Sequence, residues 1–129
     1  MAALLGFELT EASPELARGT MTVDDRVKQP MGIVHGGAYA ALAEAVVSHT
    51  TWLAVQDDGM FPVGMSNETS FLRPVSEGTV TAEARSRHRG RTTWVWQVDF
   101  TDGEGRLCAL SRVTLALRPI PDQGASEGA

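Results

Sequence analysis

The chain has 129 residues, of which 43% are hydrophobic and 21% charged, and a formal net charge of −5 at pH 7. That length suits one domain with its own hydrophobic core, and the acidic balance argues against nucleic acid as the main partner. No apolar run approaches the ~18 residues of a membrane span, and the opening MAALLGFELTEASPE lacks the basic start of a signal or transit peptide, so a soluble cytoplasmic protein is expected.

Residues 1–15 show no clear period and fit a short helix or turn. In Arg18–Asp25, Met21 and Val23 alternate with polar neighbours as in a half-buried strand. Lys28-Gln29-Pro30-Met31-Gly32 then interrupts regular structure, and Gly36 to about Gln56 is the one long helical candidate. Its alanines, among them Ala38, Ala41 and Ala45, favour helix and let neighbours approach closely. Two stripes run along it, one of Leu42, Ala45, Val46, His49 and Leu53, the other of Gly37, Ala41, Glu44, Ser48 and Thr51.

After Asp57-Asp58-Gly59 every segment reads as strand. Phe61–Arg73 places Phe61, Val63, Met65 and Phe71 on one alternation, and Glu77–Arg87 alternates Val80, Ala82 and Ala84 with polar residues. Thr92–Phe100 puts Thr92, Trp94, Trp96, Val98 and Phe100 on one face. The loop Thr101–Gly105 leads to Leu107–Arg118, where Val113, Leu115 and Leu117 are in phase. Cys108, the only cysteine, falls in that strand as a small core residue. Residues 1–118 form the domain, and 119–129, rich in Pro, Gly and acids, form a flexible tail. Consecutive short-linked strands are expected to pair antiparallel, which makes the class α+β. The order fits a curved sheet wrapped around a central helix, and also a sheet with a helix lying on one face.

The segment Gln29-Pro30-Met31-Gly32-Ile33-Val34-His35-Gly36-Gly37, running on to Glu44, resembles the signature of the hotdog-fold acyl-CoA thioesterases. It is most similar to the 4-hydroxybenzoyl-CoA thioesterases of the Arthrobacter type, with the dihydroxynaphthoyl-CoA and phenylacetyl-CoA-pathway thioesterases nearby. Met60–Glu77, Gly90–Trp96 and Gly105–Ser111 look like the later strands of that family, so the likeness covers about residues 18–118. Arg91 and His49 depart from the family pattern.

The chemistry is legible beside the resemblance. Hydrolysing a thioester needs donors aimed at the developing oxyanion and a carboxylate that attacks or activates water. Gly36 and Gly37 stand at a helix start, where N–H groups lack partners and negative charge is favoured. Glu44 supplies a carboxylate, but it lies eight residues from Gly36, about 12 Å along one helix, too far for both to act on one carbonyl. Two antiparallel copies of the helix would bring them together, so the site is expected twice in a homodimer. Ser48 lies one turn beyond Glu44 on the same face.

The resemblance implies Glu44 as nucleophile or general base, the Gly36 amide and Gln29 as polarisers of the carbonyl, and Ser48 holding water. His35 shapes the helix start or is a core or loop residue. The family further implies coenzyme A contacts from Arg73, from Gly90, Arg91 and Thr92, and from Arg118, with dimers pairing into a homotetramer. The cluster Arg85–Arg91 reads either as a dock for phosphates or as a solvated hairpin. Tyr39 is read as packing rather than chemistry, and Tyr39, Trp52, Phe61 and Met65 line an aromatic-acyl pocket or belong to the core. No HExxH, CxxC, serine-nucleophile or phosphate-loop pattern occurs, so neither metal nor cofactor is expected. The substrate is then an acyl-CoA, aromatic by resemblance. A hotdog hydratase using a His–carboxylate pair and a non-catalytic acyl-CoA sensor remain as alternatives, and a nucleic-acid role for the Arg cluster ranks behind them.

Overall fold

In the clearest strand Trp94, Trp96, Val98 and Phe100 all point inward, and the three after Trp94 are fully buried. This computed structural model describes residues 4–121. Its elements are β1 (Phe7–Ala12), β2 (Leu16–Thr22), α1 (Gly36–Val55), a 3-10 turn (Gln56–Asp58), β3 (Met60–Phe71), β4 (Thr79–Arg89), β5 (Thr93–Thr101) and β6 (Leu107–Pro119). The strands form one antiparallel sheet in the order β1-β2-β4-β5-β6-β3.

Helix α1 touches all six strands. A flat six-stranded sheet would be about 24 Å wide and a helix only about 10 Å across, so the sheet curls around the helix. The buried stripe of α1 is Ala38, Tyr39, Leu42, Ala43, Val46, Val47, Thr50, Thr51 and Val55. It meets Val80, Ala82 and Ala84 of β4, Trp96 and Phe100 of β5, and Val113 and Leu115 of β6 in a single core. Full burial of each large apolar side chain there contributes about 1.5–3 kcal/mol. Among the polar residues of the stripe, Thr51 accepts from Trp96 Nε1 at 2.9 Å and Thr50 donates to the Val46 carbonyl at 2.8 Å, so neither hydroxyl is left orphaned.

Several expectations are corrected. Phe7–Ala12 is a strand, paired with β2, rather than a short helix or turn. Consecutive strands do not all pair: β3 crosses to β6, because β4 is taken up by β2 and β5. The alternation assigned to β3 fails at a bulge between Gly64 and Ser66, beyond which the facing residues change phase. Thr51 lies on the buried stripe, whereas His49 and Leu53 are exposed. Thr92 precedes β5 and is exposed. Pro119, assigned to the tail, ends β6 opposite Met60, and Ile120 N donates to the Gly59 carbonyl at 2.8 Å. Residues 122–129 lie outside the described residues. Among those described, no helix is long and apolar enough to cross a membrane.

Candidate active site

The loop before α1 is tied down by its backbone. Gln29 N donates to Ile33 O and Gly32 N to Gln29 O, each at 2.9 Å, while Val34 N reaches Val75 O and His35 N reaches Val27 O at 2.9 and 2.8 Å. The amide oxygen of Gln29 accepts from Met31 N inside this turn. That leaves its NH2 group as the end free to donate outward.

His35 is the N-cap of α1, with extended backbone, and its Nδ1 accepts from Gly37 N at 3.0 Å. An accepting Nδ1 carries no proton, so in the neutral ring the proton sits on Nε2, a second donor beside Gln29. The cap also consumes the Gly37 amide. Of the two glycine amides expected to face an oxyanion, Gly36 alone stays unspent at the helix start. A side chain at Gly36 would meet Phe71, a Cβ there lying 2.7 Å from the ring, so glycine lets that ring pack against the helix start. Gln29, His35 and Gly36 line one cavity of about 710 Å³ with Tyr39, Phe71 and Arg73.

Tyr39 is buried; its hydroxyl donates to Cys108 Sγ at 3.8 Å, and burial, then this contact, push the phenol above its usual range. Its ring sits 5.3 Å from Phe100 edge-on and 6.1 Å from Phe71. Packing is its main work, as expected, but it also walls the cavity. Cys108 is fully buried, its Sγ donating to Phe100 O at 3.4 Å.

Glu44 lies elsewhere. With Ser48, Ala40, Ala41, Ala45 and Asn67 it lines a second cavity of about 450 Å³ on the β3 side of the helix. Within one protomer its side chain is exposed, lying toward β3 at the edge of the sheet and not in the core. The carboxylate rests over Gly64, where an added Cβ would stand 3.3 Å from Oε1. Asn67 was given no chemical role by the sequence reading, yet it faces the same cavity and bonds the Ala40 carbonyl at 2.9 Å.

The residues assigned to coenzyme A are dispersed. Arg73 stands at the Gln29 cavity. Gly90 and Arg91 line a separate one, of about 540 Å³, with Arg89, Asp58, Trp94 and Leu117. Thr92 caps the β4–β5 hairpin, its carbonyl accepting from Leu117 N at 2.9 Å, and Arg118 donates to the Leu117 carbonyl at 3.2 Å. The basic cluster is partly neutralised: Arg85 pairs with Glu83 and Arg89 with Glu15, each at 2.9 Å. Among the described residues Arg73, Arg91 and Arg118, the arginines assigned to coenzyme A, form no ion pair, and neither do Lys28 and Arg87.

Comparison with known proteins fits this geometry. The family described as Thioesterase superfamily matches residues 31–109, from the loop before α1 to the start of β6. The putative esterase PA1618 of Pseudomonas aeruginosa is 37% identical over 117 residues, covering 91% of this chain and 81% of that one. The proofreading thioesterase EntH of Cronobacter turicensis is 40% identical over 113 residues, covering 88% and 82%. The crystal structure of thioesterase HI1161 from Haemophilus influenzae superposes with a TM-score of 0.88 at 37% identity, over 95% of this chain and 85% of that one. SAV0944 of Staphylococcus aureus superposes with a TM-score of 0.88 at 29% identity, over 92% and 98%; it was solved as single variants replacing a glutamate or a glutamine with alanine, at positions fifteen residues apart. The chain belongs to the thioesterase superfamily and has its hotdog fold.

Proposed function

We propose that the protein hydrolyses an acyl-CoA thioester, with an aromatic acyl group preferred, at two sites shared between the subunits of a homodimer. One observation carries the reading: the donors Gln29, His35 and Gly36 line one cavity, the Glu44 carboxylate and Ser48 line another, and the edge strand β3 borders both. Each protomer thus presents two halves of a hydrolytic site. Pairing two β3 edges about a two-fold axis sets the donor half of one chain against the carboxylate half of the other.

In the complete site the thioester oxygen faces the Gly36 N–H and the Gln29 amide, which stabilise the charge that develops there. Glu44 of the partner subunit attacks the carbonyl carbon, or draws a proton from water that attacks it, with Ser48 holding that water. Direct attack breaks the C–S bond and leaves an acyl-glutamyl anhydride that a water then cleaves to the free acid and Glu44, whereas the activated water gives the free acid at once; in both routes the departing coenzyme A thiolate takes up a proton, from Glu44 or from solvent. The interval between Gln29 and Glu44, fifteen residues, equals that between the glutamine and the glutamate replaced in SAV0944. Tyr39 and Phe71 wall the donor cavity with aromatic surface, which favours an aryl group. Arg73, the Gly90–Thr92 turn and Arg118 serve the phosphates of coenzyme A, and pairs of dimers assemble into a tetramer in the cytoplasm. A His35–Glu44 acid/base pair for hydration fits less well, since His35 Nδ1 is committed to Gly37.

The test is thiol release from a panel of aromatic and aliphatic CoA thioesters, wild type beside Glu44→Gln. Cleavage of an aryl-CoA with a loss of about 100-fold or more in the variant, roughly 3 kcal/mol of transition-state stabilisation, is expected. A variant as active as wild type contradicts the role of Glu44, and binding without turnover would point to a sensor.

A further inference from the structure

Asn67 is joined to two partners in a chain of hydrogen bonds whose direction is determined. Its Nδ2 donates to the Ala40 carbonyl at 2.9 Å, and its Oδ1 accepts from Thr69 Oγ1 at 2.8 Å. Thr69 has one hydroxyl proton and spends it on Asn67, so Ser111 must donate into Thr69 Oγ1, 2.7 Å away. Ser111 is fully buried on β6, opposite Thr69 in the register. The chain from Ser111 to Thr69 to Asn67 thereby fixes which end of the amide faces the helix.

The Ala40 carbonyl is the acceptor of Glu44's own backbone N–H in a regular helix. The edge strand therefore grips the turn that carries Glu44 at its hydrogen-bonded root. Three residues earlier the same strand passes under the carboxylate itself, at Gly64. The bulge between Gly64 and Ser66 sets the offset that lets one strand make both contacts. Glu44 is exposed in the protomer, so its aim depends heavily on the backbone turn that carries it.

We infer that Asn67, oriented by Thr69 and Ser111, is a positioning residue that holds the Ala40–Glu44 turn against β3 and so aims the Glu44 carboxylate. The inference rests on the reading of Glu44 given above. Loss of the amide frees the turn to shift relative to the edge strand, and misplacement of a reacting group by about 1 Å costs up to about 100-fold in rate.

Asn67→Ala, Thr69→Val, their double variant and Glu44→Gln are compared with wild type for kcat, KM and Tm on the best thioester of the panel. Asn67→Ala is expected to lose about tenfold or more in kcat, with KM within about twofold. Thr69→Val is expected to lose less, and the double variant to match Asn67→Ala, because Thr69 acts through Asn67. A purely structural Asn67 would lower Tm and leave kcat of the folded protein unchanged, which overturns the inference while a dead Glu44→Gln keeps the Glu44 reading intact. Additive losses in the double variant overturn it as well. If Asn67→Ala does not fold, Thr69→Val decides, and wild-type kcat there overturns the inference. Full activity in Glu44→Gln removes the Glu44 reading and this inference together.

Discussion

At one margin of the sheet β1 runs for six residues, carries Glu8 and Glu11, and is interrupted between Leu9 and Glu11. At the other, β3 runs for twelve and leaves Val63, Met65 and Phe71 exposed, with Leu72 just beyond it. Proteins blunt free edges with short strands, charges and bulges, since unpaired N–H and C=O groups invite another strand. β1 has all three protections. β3 has a bulge, Pro62 and the exposed Glu68, but its twelve-residue length and its exposed Val63, Met65 and Phe71 suit it to receive a second copy, and both halves of the candidate site lie beside it. On the function proposed above, the contrast puts the catalytic surface at the edge better suited to pairing.

The largest effects are expected where that contrast is attacked directly. Met65→Lys places a charge on the β3 edge and is expected to give a monomer with about 100-fold less activity. Leu9→Lys on β1 should leave both dimer and activity within about twofold of wild type. Sedimentation with thiol-release assays reads both variants; equal behaviour of the two would erase the distinction between the edges.

A smaller effect belongs to the donor half, which each chain builds alone. His35→Ala removes the N-cap and should cost about 1 kcal/mol, seen as a fall of about 4 °C in Tm. Replacement by Asn, a good cap, should recover most of that stability but not the Nε2 donor, so kcat would remain reduced.

The smallest effect lies at the β5–β6 turn, away from both edges. Asp102 accepts from the Arg106 and Glu104 amides at 3.0 and 2.9 Å and from Arg106 Nε at 2.9 Å. The Arg106 amide foremost, then the Glu104 amide and the Arg106 guanidinium, hold its carboxyl below the ordinary value of 3.8. A depressed carboxylate stabilises the fold above its unfolded pKa and loses that contribution as pH falls through the folded one. Asp102→Asn should therefore lower Tm by a few degrees at pH 7, and the gap to wild type should close well below pH 3.8. Thermal melts at pH 7 and under acid conditions check the sign.

These regions also differ in how far the sequence discloses them. β4, β5 and β6 bury one face against α1, so Val80, Trp96, Val113 and their in-phase neighbours write an alternation any reader can follow. β1 buries Phe7 and exposes its other residues, which leaves no period to read. In β3 the bulge shifts the phase midway, and its pairing with β6 is non-local. The site followed the same division. Of the proposed site, Gly36 and Glu44 are legible from residue type and place on the helix, whereas the roles of Gln29, His35 and Ser48 enter through the family resemblance. The role of Asn67 was hidden in a contact between strand and helix 27 residues apart in sequence. The ion pairs that quieten Arg85 and Arg89 depend on Glu83 and on Glu15, the latter near in space only after folding.

The division of the site between subunits is the central claim, and mixing two crippled chains tests it most directly. Glu44→Gln lacks the carboxylate half and Gln29→Ala the donor half, and each alone should be nearly inactive. Refolded together at equal amounts, half of the dimers contain one chain of each kind, and each such dimer regains one intact site of two. The account predicts recovery to about a quarter of wild-type activity. A mixture no more active than its two parents, with mixed dimers demonstrably formed, would show that each chain carries a complete site of its own.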